Sequence, residues 1–363
     1  MKFGLFYQIQ VPKPWGEETE AKRFWEALDQ IAFAEEMGYD SVWFSEHHFR
    51  PEWSHNSAPD LTLAAVSQRT SRIRMGIGVV LAPIHHPLHT AARMATLDIL
   101  SRGRVDVGLG RTGYPYQLTP YGSDLEDTRG MWEEFAEVLP KAWTQDITSH
   151  EGEYFNIPPR QVLPKPIQKP HPPLWSACGS DETTRLAGEM GLGALVGSEG
   201  GPEKVGNLLE LYQQTIKSAK PSTRMVNNQN ALMTAGFCHE DPKVIETRGV
   251  ELVGWYLEQQ RERARLVWKG VDQSTVPPDY RGYYERDMRL AAGPHPGEAT
   301  PQEVVKQDPV VDDHQCSGQK ASCVADVCGM SHEDDPHSND GKVIGRSSDP
   351  DRPSSTHLAS REA

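Results

Sequence analysis

Two adjacent histidines, His47 and His48, end the apolar stretch Ser41-Val-Trp-Phe-Ser-Glu-His-His-Phe49. An imidazole titrates near neutrality, so histidines at the mouth of a barrel strand suit acid–base chemistry. Taken alone, the pair equally fits two loop histidines that satisfy nearby backbone groups. A second cluster, Gly108-Leu-Gly-Arg-Thr-Gly113, has the spacing of a dinucleotide fingerprint. That reading needs a helix to open at this point, and Tyr114-Pro-Tyr116 resists one, so it is rejected. The glycines, Gly110 among them, instead let a flat ligand lie against a strand end with Arg111 beside it as a cation. In a third cluster, Ser180-Asp-Glu-Thr183, Ser180 is placed to cap a helix whose first turn holds Thr183. Free N–H groups, two hydroxyls and the positive helix end make a phosphate site, although capping alone also explains Ser180. Arg111 and Arg129 are cations available to such a phosphate, and Arg129 also has Asp127 and Glu133 as surface partners. His85 and His86 add two imidazoles, but no carboxylate stands at ligand spacing and neighbouring strand residues point apart. No metal is expected.

The elements that must position these residues alternate strand and helix. Strands are expected at Phe3 to Tyr7, Ser41 to Ser45, Met75 to Leu81, Val105 to Leu109, Leu174 to Cys178, Ala194 to Gly197 and Leu232 to Cys238. Helical periodicity runs through Phe24, Leu28, Ile31 and Ala34 to Gly38, from Pro59 to about Thr70, and from Pro87 to about Gly103. Further helices are expected from Met131 to Trp143, from Ser180, from Pro202, and from Pro242 to Arg263. This alternation argues for parallel strands with right-handed crossovers. Gly76 and Gly78 on the third strand suggest close approach of backbone or ligand. The long stretch 144–173 reads as irregular, since its prolines from Pro164 to Pro173 forbid a helix or a central strand.

Composition narrows the function classes. The net charge of −14 argues against a nucleic-acid or anionic-membrane partner. No apolar run of membrane-spanning length occurs, and residues 1–7 read as a strand rather than a signal peptide. The five cysteines form no Cys-x-x-Cys and no disulfide framework, which makes the cytoplasm the expected compartment. After Tyr284 the chain has no aromatic residue. A capping box at Thr300-Pro-Gln-Glu303 could start a helix that Asp308-Pro309 stops. Residues 308–363 are too polar to offset ordering entropy and are expected to be a disordered tail. Within them, Ser322-Cys-Val-Ala-Asp-Val-Cys-Gly329 is the sole candidate for an eighth strand.

The motifs together resemble the bacterial luciferase-like flavin-dependent monooxygenase family. The resemblance is carried by Met1-Lys-Phe-Gly-Leu-Phe6, by Gly38 through Phe49, and by Leu100-Ser-Arg-Gly-Arg-Val-Asp-Val-Gly-Leu-Gly-Arg111. Tyr121 to Asp124 with Arg129, the Pro-Lys-Pro-Ile-Gln-Lys-Pro stretch, and Ser180 to Thr183 extend it, so that it covers residues 1 to about 290. It implies an α/β fold, a TIM-like (β/α)8 barrel over residues 1–307, here with the eighth strand and last helix degraded or missing.

It further implies a two-component monooxygenase. Reduced FMN from a separate flavin reductase would meet O2, form a flavin C4a-hydroperoxide and oxygenate a small organic substrate, apolar or carbonyl-bearing. By motif, His47 and His48 match the active-site pair, one of them the acid–base. Arg111, Arg129, Ser180 and Thr183 match the positions that hold the FMN phosphate. Gly78-Val79 matches a non-prolyl cis peptide under the isoalloxazine. Gly110 stands where the luciferase α subunit carries a reactive cysteine, and Gly179 where it carries a glutamate, so oxygenation without useful light is expected. A homodimer is implied, and segments 144–173 and 264–290 are the candidates for a mobile loop that excludes water. Two alternatives remain open: a deazaflavin-dependent oxidoreductase, and a non-catalytic flavin-binding protein with a damaged barrel.

Overall fold

The structure, a computed structural model, describes residues 2–292 except Gly113, Glu199, Gly200 and Arg224, together with the stretch Ser322–Asp326. Strand β1 (Phe3–Tyr7) is followed by α1 (Thr19–Glu36), β2 (Ser41–Phe44), α2 (Pro59–Arg69), β3 (Arg74–Leu81), α3 (Pro87–Leu100) and β4 (Val105–Gly110). A one-turn helix α4 (Pro115–Leu118) leads to α5 (Thr128–Thr144) and an antiparallel hairpin, β5 (Thr148–Glu151) and β6 (Asn156–Arg160). The alternation resumes with β7 (Leu174–Ala177), α6 (Asp181–Met190), β8 (Gly193–Gly197), α7 (Gly201–Thr215) and β9 (Asn230–Ala235). Beyond β9 come α8 (Pro242–Val244), a π-helical turn (Ile245–Gly249), α9 (Val250–Val267) and α10 (Arg281–Ala291). The last described strand is β10 (Ser322–Asp326).

These strands close a TIM-like parallel barrel in the order β1-β2-β3-β4-β7-β8-β9-β10. Its strands are short apolar runs because helices cover them outside and side chains fill them inside; β4 is buried at every position. Inside, the Trp43 and Trp175 rings meet edge to face, 5.4 Å between centroids, with Phe6, Leu195 and Ala231 around them. Each tryptophan faces a glycine on the next strand, Trp43 opposite Gly76 and Trp175 opposite Gly193. A Cβ at Gly76 would lie 2.1 Å from the Trp43 ring. Gly76 therefore serves packing rather than ligand approach, a correction to the reading of the Gly-rich third strand.

The end of the barrel also differs from expectation. Ser322–Asp326, within the faint candidate stretch, pairs in parallel with β1 (Phe3↔Cys323) and with β9 (Leu232↔Cys323). The strand expected to be degraded or missing is thus supplied in a short form, and β1 and β9 are not left as edges. The remainder of the expected tail, the Thr300–Glu303 capping box and any last helix lie outside the described residues.

Two further segments are more regular than their sequences suggest. The stretch 144–173 contains the β5–β6 hairpin, pinned by Glu134, whose carboxylate accepts the N–H groups of Glu153 (2.7 Å) and Phe155 (3.0 Å). Pro158 and Pro159 fit there because they fall at a register break in the hairpin, between the Thr148↔Arg160 and His150↔Ile157 pairs, where the ladder is interrupted. Segment 264–290 is likewise not one long loop, since it holds the end of α9 and most of α10. Pro115 takes the first position of α4, so Tyr114-Pro-Tyr116 opens one helical turn after all. Among the described residues no helix is long and apolar enough to cross a membrane.

Candidate active site

The C-terminal ends of the strands open into a cavity of about 240 Å3. Phe6 and Trp43 form its floor, Gly78 and Val79 one wall, and Tyr256, Gln260 and Arg263 of α9 reach over it. The Gly78–Val79 peptide is cis, as expected from the motif. It sits where β3 slips in register against β4, between Ile77 and Val80. A Cβ at Gly110, the last residue of β4, would lie 2.3 Å from Val79 Cγ2, so Gly110 lets the cis segment lie close.

The structure separates the two histidines. His47 lines the cavity, and its Nδ1 is shielded from solvent with no hydrogen-bond partner among the described residues. Burial, with Arg50 and Arg263 nearby, pushes its pKa well below the usual value, so His47 is neutral at pH 7. His48 points the other way. Its Nε2–H donates to Glu46 Oε1 (2.9 Å), and its Nδ1 accepts from the Tyr121 hydroxyl (2.8 Å). His85 Nε2–H donates to the same Glu46 oxygen (2.6 Å), and the Leu81 N–H donates to the other (3.0 Å).

Glu46 is only 3% exposed. Burial pushes its carboxyl up, but the bonds from His48, His85 and Leu81 and the charge of His85 outweigh it, leaving it at about 2. For His85, burial lowers the pKa and the Glu46 bond and charge raise it, with a net rise. Glu46 and Tyr121 were not among the expected site residues. The available signal was an acid one residue before the histidine pair, on the same face as His48. Among the described residues, no three His, Cys, Asp or Glu side chains are arranged to hold a metal.

The residues expected to hold a phosphate do not line this cavity: Arg111 follows β4, Arg129 is in the first turn of α5, and Ser180 and Thr183 follow β7. Ser180 and Thr183 form a reciprocal capping box: the Thr183 N–H donates to Ser180 Oγ (3.3 Å), and the Ser180 N–H to Thr183 Oγ1 (3.2 Å). Arg129 donates to Glu133 (3.0 Å) and to Glu182 in the first turn of α6. Arg111 lies over the Tyr280 ring, 5.0 Å from its centroid, and the Tyr280 hydroxyl meets Thr128 Oγ1 at 2.6 Å. Arg111, Tyr280, Thr128 and Arg129 thus join in a chain that ends on α6. Of the two arginines, Arg129 is the one that reaches the capped start of α6. Asp181 and Glu182 oppose a phosphate there, with Glu182 already on Arg129.

Sequence reasoning passed over Arg50 and Arg263, which give the cavity its charge. Phe49 adopts φ 58°, in the left-handed region, and this turn returns Arg50 to the cavity that His47 faces. Arg263 donates to Asp287 Oδ1 (3.1 Å) and to the Tyr114 hydroxyl.

Comparison with known proteins bears on this geometry. The sequence model of one family, described as luciferase-like monooxygenase, matches residues 1–292. The oxygenase component of the flavin-dependent trigonelline monooxygenase of Acinetobacter baylyi is 28% identical, over 53% of this chain and 52% of that protein. The F420-dependent glucose-6-phosphate dehydrogenase of Kineococcus radiotolerans is 31% identical, over 57% of this chain and 61% of that protein. The chain therefore spans about half of the length of the curated relatives it matches, 52% and 54% for two uncharacterised proteins of Sinorhizobium fredii. In three dimensions it is similar to the monooxygenase RslO1 of Streptomyces bottropensis, with TM-score 0.66, 25% identity, and 90% and 92% of the two chains covered.

Proposed function

Because the chain belongs to the luciferase-like monooxygenase family, we propose that it is the oxygenase component of a two-component system. In this reading it takes reduced FMN from a separate flavin reductase and uses O2 to oxygenate a small organic substrate. The observation that carries the reading is one cavity lined by the Gly78–Val79 segment and by His47, whose Nδ1 is shielded from solvent. Gly78, Val79 and Gly110 would lie under the flat ring system, and Arg111, Arg129, Ser180 and Thr183 would hold the phosphate. Phosphate would replace Glu182 on Arg129. Reduced flavin supplies the oxygen-activating chemistry when bound.

The chain's own part is to orient and to shield. Trp43, Phe6 and Met233 keep water from the reacting centre. His47 Nδ1, shielded and without a hydrogen-bond partner among the described residues, is the group able to take or give a proton there. His48 is the positioning residue, held by Glu46 and Tyr121. A homodimer in the cytoplasm fits this reading, and exposed Trp25, Phe33 and Leu61 on α1 and α2 offer an apolar surface for it.

A second reading, hydride transfer with a deazaflavin, is favoured by the 31% identity to an F420-dependent dehydrogenase. The test is anaerobic titration of the protein with reduced FMN and with reduced F420, followed by labelled O2 and mass analysis of the product. FMN binding with label in the product supports the oxygenase. F420 binding alone, with no label incorporated, overturns it in favour of the second reading.

A further inference from the structure

The cavity carries a positive charge that the proposed flavin chemistry does not use. Arg50 is 7% exposed, and its guanidinium lies 4.6 Å from the centroid of the Trp53 ring. Among the described residues it makes no ion pair. Burial holds it below its ordinary pKa, at about 10; Arg263 adds like charge, and the phenols of Tyr116, Tyr114 and Tyr256 supply only weak compensation. Arg263 does have a carboxylate, but Asp287 also serves Arg286 and the Trp268 indole N–H. No Asp or Glu is among the described residues that line the cavity.

A guanidinium removed from water without an anion is costly, and the cost is recovered when an anion arrives. The flavin phosphate has its own expected residues elsewhere, after β4 and β7 and in the first turn of α5. What meets Arg50 must therefore fit the rest of this cavity. Its other walls are flat and apolar: Trp43, and Trp53 packed against Tyr256 with 4.8 Å between ring centroids. One uncompensated guanidinium calls for one negative charge, and a planar carboxylate matches its fork of donors. Ser45 Oγ, buried and without a hydrogen-bond partner among the described residues, adds a hydroxyl donor to the lining of the same cavity.

We propose that the substrate is a small aromatic monocarboxylate, its carboxylate held by Arg50 with Arg263 beside it and its ring against Trp53 and Tyr256. This rests on the oxygenase reading for what happens to the ligand, but not for its recognition. The probes are benzoate and nicotinate against their neutral isosteres benzamide and nicotinamide, titrated calorimetrically into the protein with and without FMN. The acids are expected to bind about tenfold or more tighter than the amides. In Arg50→Gln that preference disappears while FMN and riboflavin bind as in the wild type, and Arg50→Lys keeps part of it. Thermal unfolding of both variants checks that the fold is retained.

Equal affinity for acids and amides overturns the proposal, as does no binding of either acid. Retention of the preference in a folded Arg50→Gln also overturns it. If Arg50→Gln weakens FMN but not riboflavin, Arg50 serves the flavin phosphate and the proposal fails. If FMN does not bind but the acid preference and its loss in Arg50→Gln are seen, the anion site stands and the oxygenase reading falls.

Discussion

Replacing Glu46 by glutamine keeps the shape of the side chain and removes its charge. The carboxyl is held at about 2 rather than its ordinary 4.5. That difference corresponds to about 3 kcal/mol. The rise of His85 is the same interaction seen from the other partner, so the two are not added. In Glu46→Gln the Leu81 N–H and the two imidazoles lose an ionised acceptor, and His85 loses the reason for its rise. A loss of about 3 kcal/mol lowers Tm by about 4–6 °C in a domain of this size.

The pH dependence fixes the assay. A carboxyl lowered in the folded state contributes its full stability above its ordinary 4.5 and loses it as pH falls through about 2. A histidine raised in the folded state contributes fully below its ordinary 6.5 and loses it as pH rises through its folded value. Both contributions are complete only between these limits. The gap in Tm between wild type and variant should be widest at about pH 5.5 and narrower at about pH 9, above the ordinary 6.5 from which His85 is raised. Calorimetry at both pH values, with the His85 ring titrated by NMR, reads the two halves separately. A gap of the same size at both pH values, or a His85 titration that does not move down in the variant, would refute the reasoning.

Other substitutions address the site directly. His47→Asn should lower the ratio of oxygenated product to hydrogen peroxide by about 10²–10⁴-fold with FMN binding retained. His48→Gln should lower Tm while leaving that ratio nearer the wild type, and the reverse ranking would exchange the two roles. Arg129→Ala should weaken FMN about tenfold or more without weakening riboflavin, read by flavin fluorescence. Its Tm should hardly change, because the side chain is 40% exposed and exposed ion pairs add little. In Gly110→Ala the new methyl, 2.3 Å from Val79 Cγ2, forces Val79 aside. This should cost about 1–3 kcal/mol in denaturant unfolding and weaken flavin binding; an unchanged midpoint would show that Val79 can turn away freely.

The barrel was legible because its parallel strands are apolar runs at regular separation, and Val105–Gly110 and Ser41–Phe44 announce themselves in that way. The β5–β6 hairpin did not, since Thr148–Glu151 is polar throughout and Asn156–Arg160 sends only Ile157 into the core. Helix α10 escaped as well; in its sequence RGYYERDMRLA five of eleven residues are charged and no apolar run stands out. Ser322–Asp326 gave only a weak signal in a polar context, because a five-residue strand supplied with two partners needs little propensity of its own. Gly76 was read as a close approach of backbone or ligand because a sequence does not show that a tryptophan on the next strand needs the space. Within the site, the types of His47, His48, Gly78 and Gly110 were visible, but not the direction in which each imidazole points. Arg50 was missed although it lies three residues after His47: its meaning depends on Arg263, 213 positions away, and on having no carboxylate partner among the described residues.

The histidine pair becomes intelligible once Glu46 is placed beneath it. Glu46 accepts from His48 and His85 with one oxygen and from the Leu81 N–H with the other. The first two bonds commit the His48 ring to the side away from the cavity, and backbone alternation then delivers His47 to the cavity side. The third bond fastens the end of β3 to the end of β2, two residues beyond the Gly78–Val79 peptide. One buried carboxylate therefore sets the positions of both walls between which the flavin reading places the reaction. Glu46→Gln should then cost oxygenation as well as stability, and the loss should persist at temperatures far below the variant's Tm. A purely structural Glu46 would instead give a folded variant with wild-type coupling at such temperatures, and that result would detach the network from the chemistry.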